Sequence, residues 1–314
     1  SPVKTRSEIT YCNENVKGMR LNANSIEELE RMPTNPDFQL GLRINPKVKT
    51  GAPDVYDVSH DESKFGVPIT EREKILDAIL RFPVTLLHVH SGSQMANIDS
   101  ATDAICLLRD IAIEANSLLV SKGISRRIKT LDIGGGLMPE ELEISETSMM
   151  EKYVSNLRLR CPELWEFELI TEFGQWSYFF TGYAISKIEY SIKKGDKYIT
   201  YIHIGADFLL RDSYVKPRGI AFGIMDSSFQ WKTTKKVSHD IAGPLCFAGD
   251  YLAKNVLLPQ AEETDIMILA GTGSNSYGLW SRHCSRDIPS FLAVDFDRKK
   301  VEKLSPKLEA FQNF

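Results

Sequence analysis

The fold is decided by residues 104–136, which read AICLLRDIAIEANSLLVSKGISRRIKTLDIGGG. Apolar residues recur at helical spacing from Ala104 to Lys122, and Gly123 is well suited to end that helix. The apolar segment Ile128 to Ile133 then predicts a buried strand, and three glycines follow it directly. A helix followed by a strand and a glycine loop is the repeating unit of parallel α/β sheets.

The same alternation extends in both directions along the first part of the chain. Strands are predicted at Phe38 to Asn45, Val84 to His90 and Phe167 to Glu172. Capping boxes predict helix starts at Ser25–Glu28 and Thr70–Glu73. Only about four or five strand signals are present, too few for a closed eight-stranded barrel. We therefore expect either an open sheet or a barrel whose other strands are missing from this sequence.

The pattern changes after about Tyr183. Ile185 to Ile192 and Tyr198 to Ile204 predict two strands joined by a hairpin turn at residues 193–196, and short β-rich segments continue to Leu304. We therefore predict two domains, an α/β domain over residues 1–180 and a mainly β domain over residues 181–314.

The composition is typical of a soluble globular protein. The 314 residues include 38 Lys and Arg against 42 Asp and Glu, which gives a formal net charge of −4. This balance argues against nucleic acid as a partner, and no apolar run reaches the ~20 residues of a membrane span. The start, Ser1–Thr5, has no apolar signal segment, so we expect no secretion; it also lacks Met, so we expect the natural chain to begin upstream.

The cysteines and histidines give no sign of a metal site. The five cysteines are widely spaced, without a CxxC pair, and no HExxH motif occurs. Free thiols in a reducing compartment, cytoplasmic or organellar, are the simplest interpretation.

Polar and glycine-rich loops follow four of the predicted strands, at the end where α/β folds build their sites. The triple glycine Gly134–Gly136 fits a phosphate loop or a flexible turn. His90 could stack on a planar ring, donate a proton or be structural. Glu172 could hold a ring nitrogen protonated or cap the next helix. The loops are Arg43-Ile44-Asn45, His88-Val89-His90-Ser91-Gly92-Ser93-Gln94, Asp132-Ile133-Gly134-Gly135-Gly136 and Thr171-Glu172-Phe173-Gly174-Gln175.

A tight turn with a thiol and a carboxylate is predicted in the second domain. Its sequence is Gly243-Pro244-Leu245-Cys246-Phe247-Ala248-Gly249-Asp250. Most cysteines are simply buried, but a cysteine flanked by glycine and proline turns with a nearby aspartate is also a catalytic candidate. Both interpretations of Cys246 stay open on position alone.

Taken together, six ordered motifs resemble one family. In their order they are similar to the fold-type III pyridoxal-phosphate decarboxylases, which act on ornithine, diaminopimelate or arginine. The likeness runs from about Lys4 to Asp295 and is strongest toward the diaminopimelate decarboxylase branch, through the His-x-His-x-Gly-Ser-Gln and Gly-Pro-x-Cys patterns. The motifs are Lys64-Phe65-Gly66-Val67, His88 to Gln94, Leu131 to Gly136, Glu172-Phe173-Gly174, Gly243 to Cys246 and Gly249-Asp250.

The resemblance implies a fold and an assembly. The fold is an α/β (β/α)8 TIM-type barrel, incomplete here, followed by a mainly β C-terminal sandwich or barrel domain. Residues 1–180 would be the pyridoxal-phosphate-binding barrel domain, with its early strands missing. The assembly is a head-to-tail homodimer with shared sites that act on a small amino-acid substrate.

The resemblance also implies residue roles. The predicted catalytic residues are His90, which stacks on the pyridine ring, Glu172, which pairs with the ring nitrogen, Cys246, which manages protonation in the neighbouring subunit's site after CO₂ leaves, and Asp250 of the same loop. Phe247 and Arg211 are the substrate-binding candidates. The predicted cofactor-binding residues are Lys64, Arg43, His90, Ser93, Gly134, Gly135, Gly136, Glu172, Gly174, Gln175 and Asn275.

Four departures from the family pattern matter. The Tyr-Ala-x-Lys-Ala-Asn-like motif of the Schiff-base lysine is absent; the similar segment around Asn22 lies too close to His90 and fits a later strand. Gln175 replaces the usual arginine, whose phosphate bond is typically worth ~1.5–3 kcal/mol, and Asn275 replaces a tyrosine. Phe247 replaces an acid that reads a distal amine, so we do not expect plain ornithine, lysine or diaminopimelate as substrate.

Three hypotheses follow. The first is a pyridoxal-phosphate-dependent decarboxylase whose lysine comes from a missing N-terminal segment, upstream in the same gene or on a separate chain. The second is a catalytically inactive homologue with a regulatory or binding role. The third is a structural subunit in which a partner covers the open barrel.

Overall fold

The computed structural model describes residues 1–95, 97–138, 148–215 and 218–305. The chain divides into two units, Ser1–Trp176 and Ser177–Phe314, each with its own apolar core.

Helices and strands alternate along the first unit, whereas strands dominate the second. No helix in the described ranges is long and apolar enough to span a membrane. The helices are α1 (Arg6–Asn15), α2 (Ile26–Leu29), α3 (Arg72–Arg81), α4 (Ile98–Ser121), α5 (Met149–Arg160), α6 (Gly174–Tyr178) and α7 (Leu210–Tyr214). The strands are β1 (Arg20–Ala23), β2 (Gln39–Asn45), β3 (Val67–Pro68), β4 (Val84–Val89), β5 (Thr130–Asp132), β6 (Glu168–Ile170), β7 (Tyr183–Lys194), β8 (Lys197–Ile202), β9 (Ala221–Met225), β10 (Lys236–Ala242), β11 (Tyr251–Pro259), β12 (Ile266–Ala270), β13 (Phe291–Asp295) and β14 (Lys300–Ser305).

The sheet of the first unit is parallel throughout, in the order β1-β2-β4-β5-β6, and β3 adds to β2. The register places Arg43 beside His88 and His88 beside Asp132. Because all of these strands run in one direction, the loops that follow β4, β5 and β6 emerge side by side at the carboxyl edge of the sheet.

Helix α4 shows how the sequence sets the local structure. Its buried residues, among them Ile105, Leu108 and Ile111, recur every three or four positions and pack into the first core. The helix begins earlier than the predicted Ala104, because the Asn97 side chain accepts a hydrogen bond from the Ser100 amide and caps the first turn.

The two capping boxes predicted from the sequence do not form as complete boxes. The predicted box at Thr70–Glu73 does not form: α3 begins at Arg72, and no side chain caps it. The Ser25 side chain does cap α2, but the Glu28 carboxylate accepts from the Asn24 amide and pairs with Lys4 at 3.0 Å. The predicted serine therefore caps α2 without the reciprocal glutamate bond, whereas α3 continues from the turn at residues 69–71 without a side-chain cap.

The second unit contains a six-stranded mixed sheet, in the order β11-β10-β8-β7-β12-β9, and a separate β13–β14 hairpin. The predicted hairpin between β7 and β8 forms, and Gly195 adopts a φ of 66° in its turn. Strands β8 and β10 pair in parallel, and the other neighbours in this sheet run antiparallel.

Candidate active site

Three strand-end loops of the first unit meet at the triple glycine. A Cβ on Gly134 would lie 2.5 Å from the Val89 carbonyl oxygen, and one on Gly135 would lie 2.2 Å from that of Glu172. A Cβ on Gly136 would lie 2.1 Å from the Gly92 carbonyl oxygen. The glycines therefore let the loops after β4 and β6 close against the loop after β5, a packing role beyond the two interpretations that the sequence suggested.

Two of the three glycine amides hold polar side chains of the site itself. The Gly134 N–H donates to Oδ1 of Asp132 at 3.1 Å, and the Gly135 N–H donates to Nδ1 of His90 at 3.1 Å. A third bond runs from the Glu172 amide to the Gly134 carbonyl at 2.8 Å. The phosphate-binding role of Gly134 and Gly135 stays a prediction, while their amides fix Asp132 and His90.

His90 and Glu172, two predicted site residues, are brought together. His90 Nδ1 lies 3.4 Å from Oε2 of Glu172. Burial, together with the nearby Arg43 charge, lowers the pKa of His90 to about 4, so its ring is neutral at physiological pH. Partial burial raises the pKa of Glu172, against the opposing effect of Arg43. A neutral planar ring thus stands beside an acid that holds its proton more readily than usual.

His88 and Asp132 complete this cluster, although the sequence interpretation gave neither a role. Nε2 of His88 lies 3.7 Å from Oε1 of Glu172, and burial lowers the pKa of His88 well below its ordinary value. Burial and the Glu172 charge raise the pKa of Asp132 to about 6. The usable signal was strand periodicity, because residues two apart, such as His88 and His90, share a face.

The same cluster contains a set of atoms that suits a cation. One ligand-type atom each of His88, Asp132 and Glu172 all lie within 4.8 Å of one another. Imidazole and carboxylate groups are common ligands of divalent metals. The sequence prediction of no metal site stays a prediction.

The raised pKa of Asp132 gives a stability prediction. An unfolded aspartate ionises near 3.8, whereas Asp132 ionises near 6, so its charge penalises the folded state fully above pH 6 and not below pH 4. We expect Asp132→Asn to stabilise the protein at pH 7.5 by up to about 3 kcal/mol, because Asn keeps an oxygen for the Gly134 N–H. Urea unfolding at pH 7.5 and at pH 4 measures this difference.

An exposed aspartate serves as the control for that experiment. Asp61 pairs with Lys47 at 2.8 Å, and this pairing lowers the pKa of Asp61. Asp61→Asn should change stability little, and in the opposite direction. A gain from Asp132→Asn that is the same at both pH values would show that the charge is not its cause.

Arg43 and Lys64 meet at one aromatic ring. The Arg43 guanidinium lies 4.3 Å from the centroid of Phe65, and the Lys64 ammonium lies 5.2 Å from it. Arg43 also donates to the His90 carbonyl at 3.4 Å. Asn24 holds the turn between, donating to the Lys64 carbonyl and accepting from the Gly66 amide. Arg43 therefore supports the His90 loop directly. Among the described residues Lys64 forms no hydrogen bond with that loop but lies over the same Phe65 ring as Arg43.

The remaining predicted residues of the first unit lie on the same loops. Ser93 is half-buried, and its amide donates to the Tyr56 carbonyl at 3.3 Å. The Gly174 amide donates to the Glu172 carbonyl at 2.8 Å. Gln175 is buried, and its Nε2 lies 3.6 Å from the Met138 sulfur.

The cysteine turn of the second unit is built around a buried carboxylate. Asp250 accepts from the Ala206 amide with Oδ1 and from the Leu245 amide with Oδ2, both at 2.7 Å. The Gly243 amide donates to the Asp250 carbonyl at 2.9 Å, and Cys246 is exposed at the tip. The structure thus gives Asp250 the task of shaping the turn that presents Cys246; its catalytic role stays a prediction.

Aromatic side chains flank this turn. Phe247 stacks on Tyr214 with centroids 5.3 Å apart, and the Tyr214 hydroxyl lies 3.3 Å from Nδ1 of His283. Arg211 is half-buried one turn of α7 before Tyr214, and Asn275 is exposed with a φ of 53°. The predicted substrate residue Phe247 therefore sits in an aromatic cluster.

A family model decides the relationship of the chain. Residues 1–178 match the family described as pyridoxal-dependent decarboxylase, pyridoxal binding domain. The chain belongs to this family. The sequence resemblance is thereby confirmed, and membership implies pyridoxal phosphate as the cofactor.

Relatives within the pyridoxal-dependent decarboxylase family are similar in sequence over most of the chain. Diaminopimelate decarboxylase of Aquifex aeolicus is 24% identical over 298 residues, 90% of this chain and 66% of that protein. The enzyme of the same name from Pseudomonas fluorescens is 25% identical over 263 residues, 82% of this chain and 60% of that protein. The chain thus spans about two thirds, or less, of the length of these curated relatives.

Solved structures confirm the predicted fold class. The crystal structure of Helicobacter pylori diaminopimelate decarboxylase complexed with L-lysine matches with a TM-score of 0.81 and 22% identity. The structural match covers 99% of this chain and 75% of the Helicobacter pylori chain. The fold is that of a TIM-type barrel followed by a β-domain, of which the described residues of the first unit supply the five-stranded path and β3.

The residues present fit a pyridoxal phosphate ring. A pyridine needs a flat, uncharged surface and an acid for its nitrogen, and His90 and Glu172 supply both at the carboxyl edge of the sheet. Both ring nitrogens of buried His88 lack a hydrogen-bond partner among the described residues, so the site also has a side chain that is available to form a further hydrogen bond.

Proposed function

We propose that this chain contributes the cofactor site of a pyridoxal-phosphate-dependent decarboxylase that acts on an amino acid or an amino-acid derivative. The observation that carries the proposal is the neutral imidazole of His90 beside the partly buried carboxyl of Glu172. Family membership and the similar diaminopimelate decarboxylases support the same chemistry. When bound, pyridoxal phosphate supplies an electron sink for the electron pair that a departing carboxylate leaves behind.

Each side chain of the first unit has a distinct task in this proposal. Glu172 shares a proton with the ring nitrogen, and its raised pKa favours that sharing. His90 offers one face of its ring, which the Gly135 amide and Arg43 hold in place. Ser93 and Gly136 are the proposed phosphate contacts.

The reactive lysine is assigned to polypeptide that these 314 residues do not include, because the sequence has no motif for it. Without that lysine, we expect the chain alone to bind the cofactor but to show negligible turnover. Besides the cofactor site and the lysine, the reaction needs a proton donor. We propose that Cys246 is this donor and that its exposed thiol serves the site of a partner subunit in a homodimer. Phe247 and Arg211 are proposed to face the distal end of the substrate.

A ligand without an aldehyde tests cofactor binding most directly. Pyridoxine 5′-phosphate carries the ring nitrogen and the phosphate but cannot react with surface lysines. We expect the chain to bind it, and Glu172→Gln to weaken binding by roughly 10- to 100-fold, since a charge-assisted hydrogen bond is worth ~1.5–3 kcal/mol. Isothermal titration measures both dissociation constants.

The control is Glu114→Gln, which removes an acid that pairs with Arg72. Its affinity for the ligand should equal that of the unmodified chain. A folded chain that does not bind pyridoxine phosphate would favour the inactive homologue.

Borohydride reduction of the protein from its source, followed by peptide mapping, locates the reactive lysine. An adduct on a lysine outside this sequence supports the decarboxylase, and an adduct on a lysine within it contradicts the assignment of that lysine to other polypeptide.

A further inference from the structure

His88 is a buried polar side chain with no assigned task. Its side chain is 7% exposed, and neither Nδ1 nor Nε2 has a hydrogen-bond partner among the described residues. Leaving a buried donor unsatisfied costs free energy, because the group has lost its hydrogen bonds to water. The nearest acceptor is Oε1 of Glu172, 3.7 Å from Nε2. A movement of less than about 1 Å would bring this pair to hydrogen-bonding distance.

The other histidine of the site cannot serve Glu172 through its nearer nitrogen. The Gly135 N–H donates to Nδ1 of His90, so that nitrogen holds a lone pair and carries no proton. Nδ1 of His90 therefore has nothing to donate to Oε2 of Glu172, 3.4 Å away. This leaves His88 as the histidine placed to donate to the carboxylate.

The strands around His88 leave it facing that acid. Arg43 and Asp132 are its neighbours in register on β2 and β5. Arg43 donates to the His90 carbonyl, and Asp132 accepts from the Gly134 amide and from Asn22, so both have other partners. Burial keeps the pKa of His88 low, and a neutral imidazole has a single N–H to give.

We infer that His88 is a positioning residue: its Nε2–H donates to Oε1 of Glu172 when the cofactor ring is in place and leaves Oε2 to face the ring nitrogen. The inference rests on the proposed function and deepens it. Glu172 is partly exposed and could adopt several rotamers, and one fixed bond from a rigid strand selects the rotamer that meets the ring.

The test measures dependence on the ring nitrogen. The two ligands are pyridoxine 5′-phosphate and its analogue with C–H in place of that nitrogen, both titrated in the presence of EDTA. The chain should prefer the first by at least about tenfold, and Glu172→Gln should abolish this preference. His88→Gln, which keeps a donor near the place of Nε2, should stay within about threefold of the original preference. His88→Asn, whose amide is too short to reach, should lose most of it.

A histidine outside the first unit provides the control. His203 lies 2.9 Å from Glu189 in the second unit, so His203→Asn removes a histidine–glutamate pair without touching the site. This variant should keep the full preference. If His88→Asn does not fold, ¹⁵N-histidine NMR of the unmodified chain decides: the Nε2–H signal of His88, identified by its loss in His88→Gln, should move downfield with the nitrogen-containing ligand only.

The outcomes separate this inference from the proposed function. Binding and preference that persist in His88→Asn, or an unmoved Nε2–H signal, would overturn the positioning role alone. Equal affinity of the unmodified chain for both ligands would overturn it together with the pairing of Glu172. No affinity for either ligand would remove the proposed function itself, and the inference with it.

Discussion

Replacing Gly136 with alanine is expected to destabilise the first unit by at least about 3 kcal/mol. Gly136 has a φ of 103°, a conformation that a residue with a Cβ rarely adopts. The new Cβ would also lie 2.1 Å from the Gly92 carbonyl oxygen, a backbone atom that a rotamer change cannot move away. Strain and overlap therefore add, and the loops after β4 and β5 must separate.

Peptide-resolved hydrogen exchange measures this effect within the first unit. Gly123→Ala is a control for backbone strain alone, since Gly123 has a φ of 69° but no atom within 4 Å of the new Cβ; we expect it to cost about 1–2 kcal/mol. Gly174→Ala, with open space and no positive φ, should be nearly neutral. Equal losses for Gly136→Ala and Gly123→Ala would show that the overlap is relieved cheaply.

The elements could be predicted where local chemistry alone sets them. The β7–β8 hairpin follows from the turn residues Lys193-Lys194-Gly195-Asp196 between two predicted strands. The start of α3 could not be predicted, because it depends on the preceding turn at residues 69–71 rather than on the Thr70 side chain.

The candidate site was predictable in part for a related reason. His90 and Glu172 follow strands directly, so the rule that sites form at strand ends selects them. His88 and Asp132 lie within β4 and β5. Strand periodicity places His88 on the same face as His90, but the register is needed to place His88 beside Asp132. Register is a property of two segments at once, and a single sequence does not state it. The same limit explains why each glycine of the triple glycine could not be matched to the carbonyl it accommodates.

In the second unit, replacing Arg218 with alanine is expected to cost about 3–5 kcal/mol. The Arg218 and Asp212 side chains are 0% and 1% exposed, with Nη2 and Oδ2 2.6 Å apart. Arg218 also donates to the Ser274 carbonyl and to the Ser276 hydroxyl. Without the guanidinium, the Asp212 charge would stay buried, and the hydrogen bond from the Arg218 backbone amide would offset part of that cost.

Two further variants make that result specific to the buried charge. Asp212→Asn combined with Arg218→Met leaves no ion behind, so it should lose less stability than Arg218→Ala, although it removes more polar groups. Arg20→Ala breaks a pair with Glu168 whose side chains are both about half exposed, and should cost less than about 1 kcal/mol. Because Arg218 ties α7 to the loop that carries Asn275, exchange in Arg218→Ala should rise at both places together. A loss confined to one of them would mean that the buried pair does not couple these two segments.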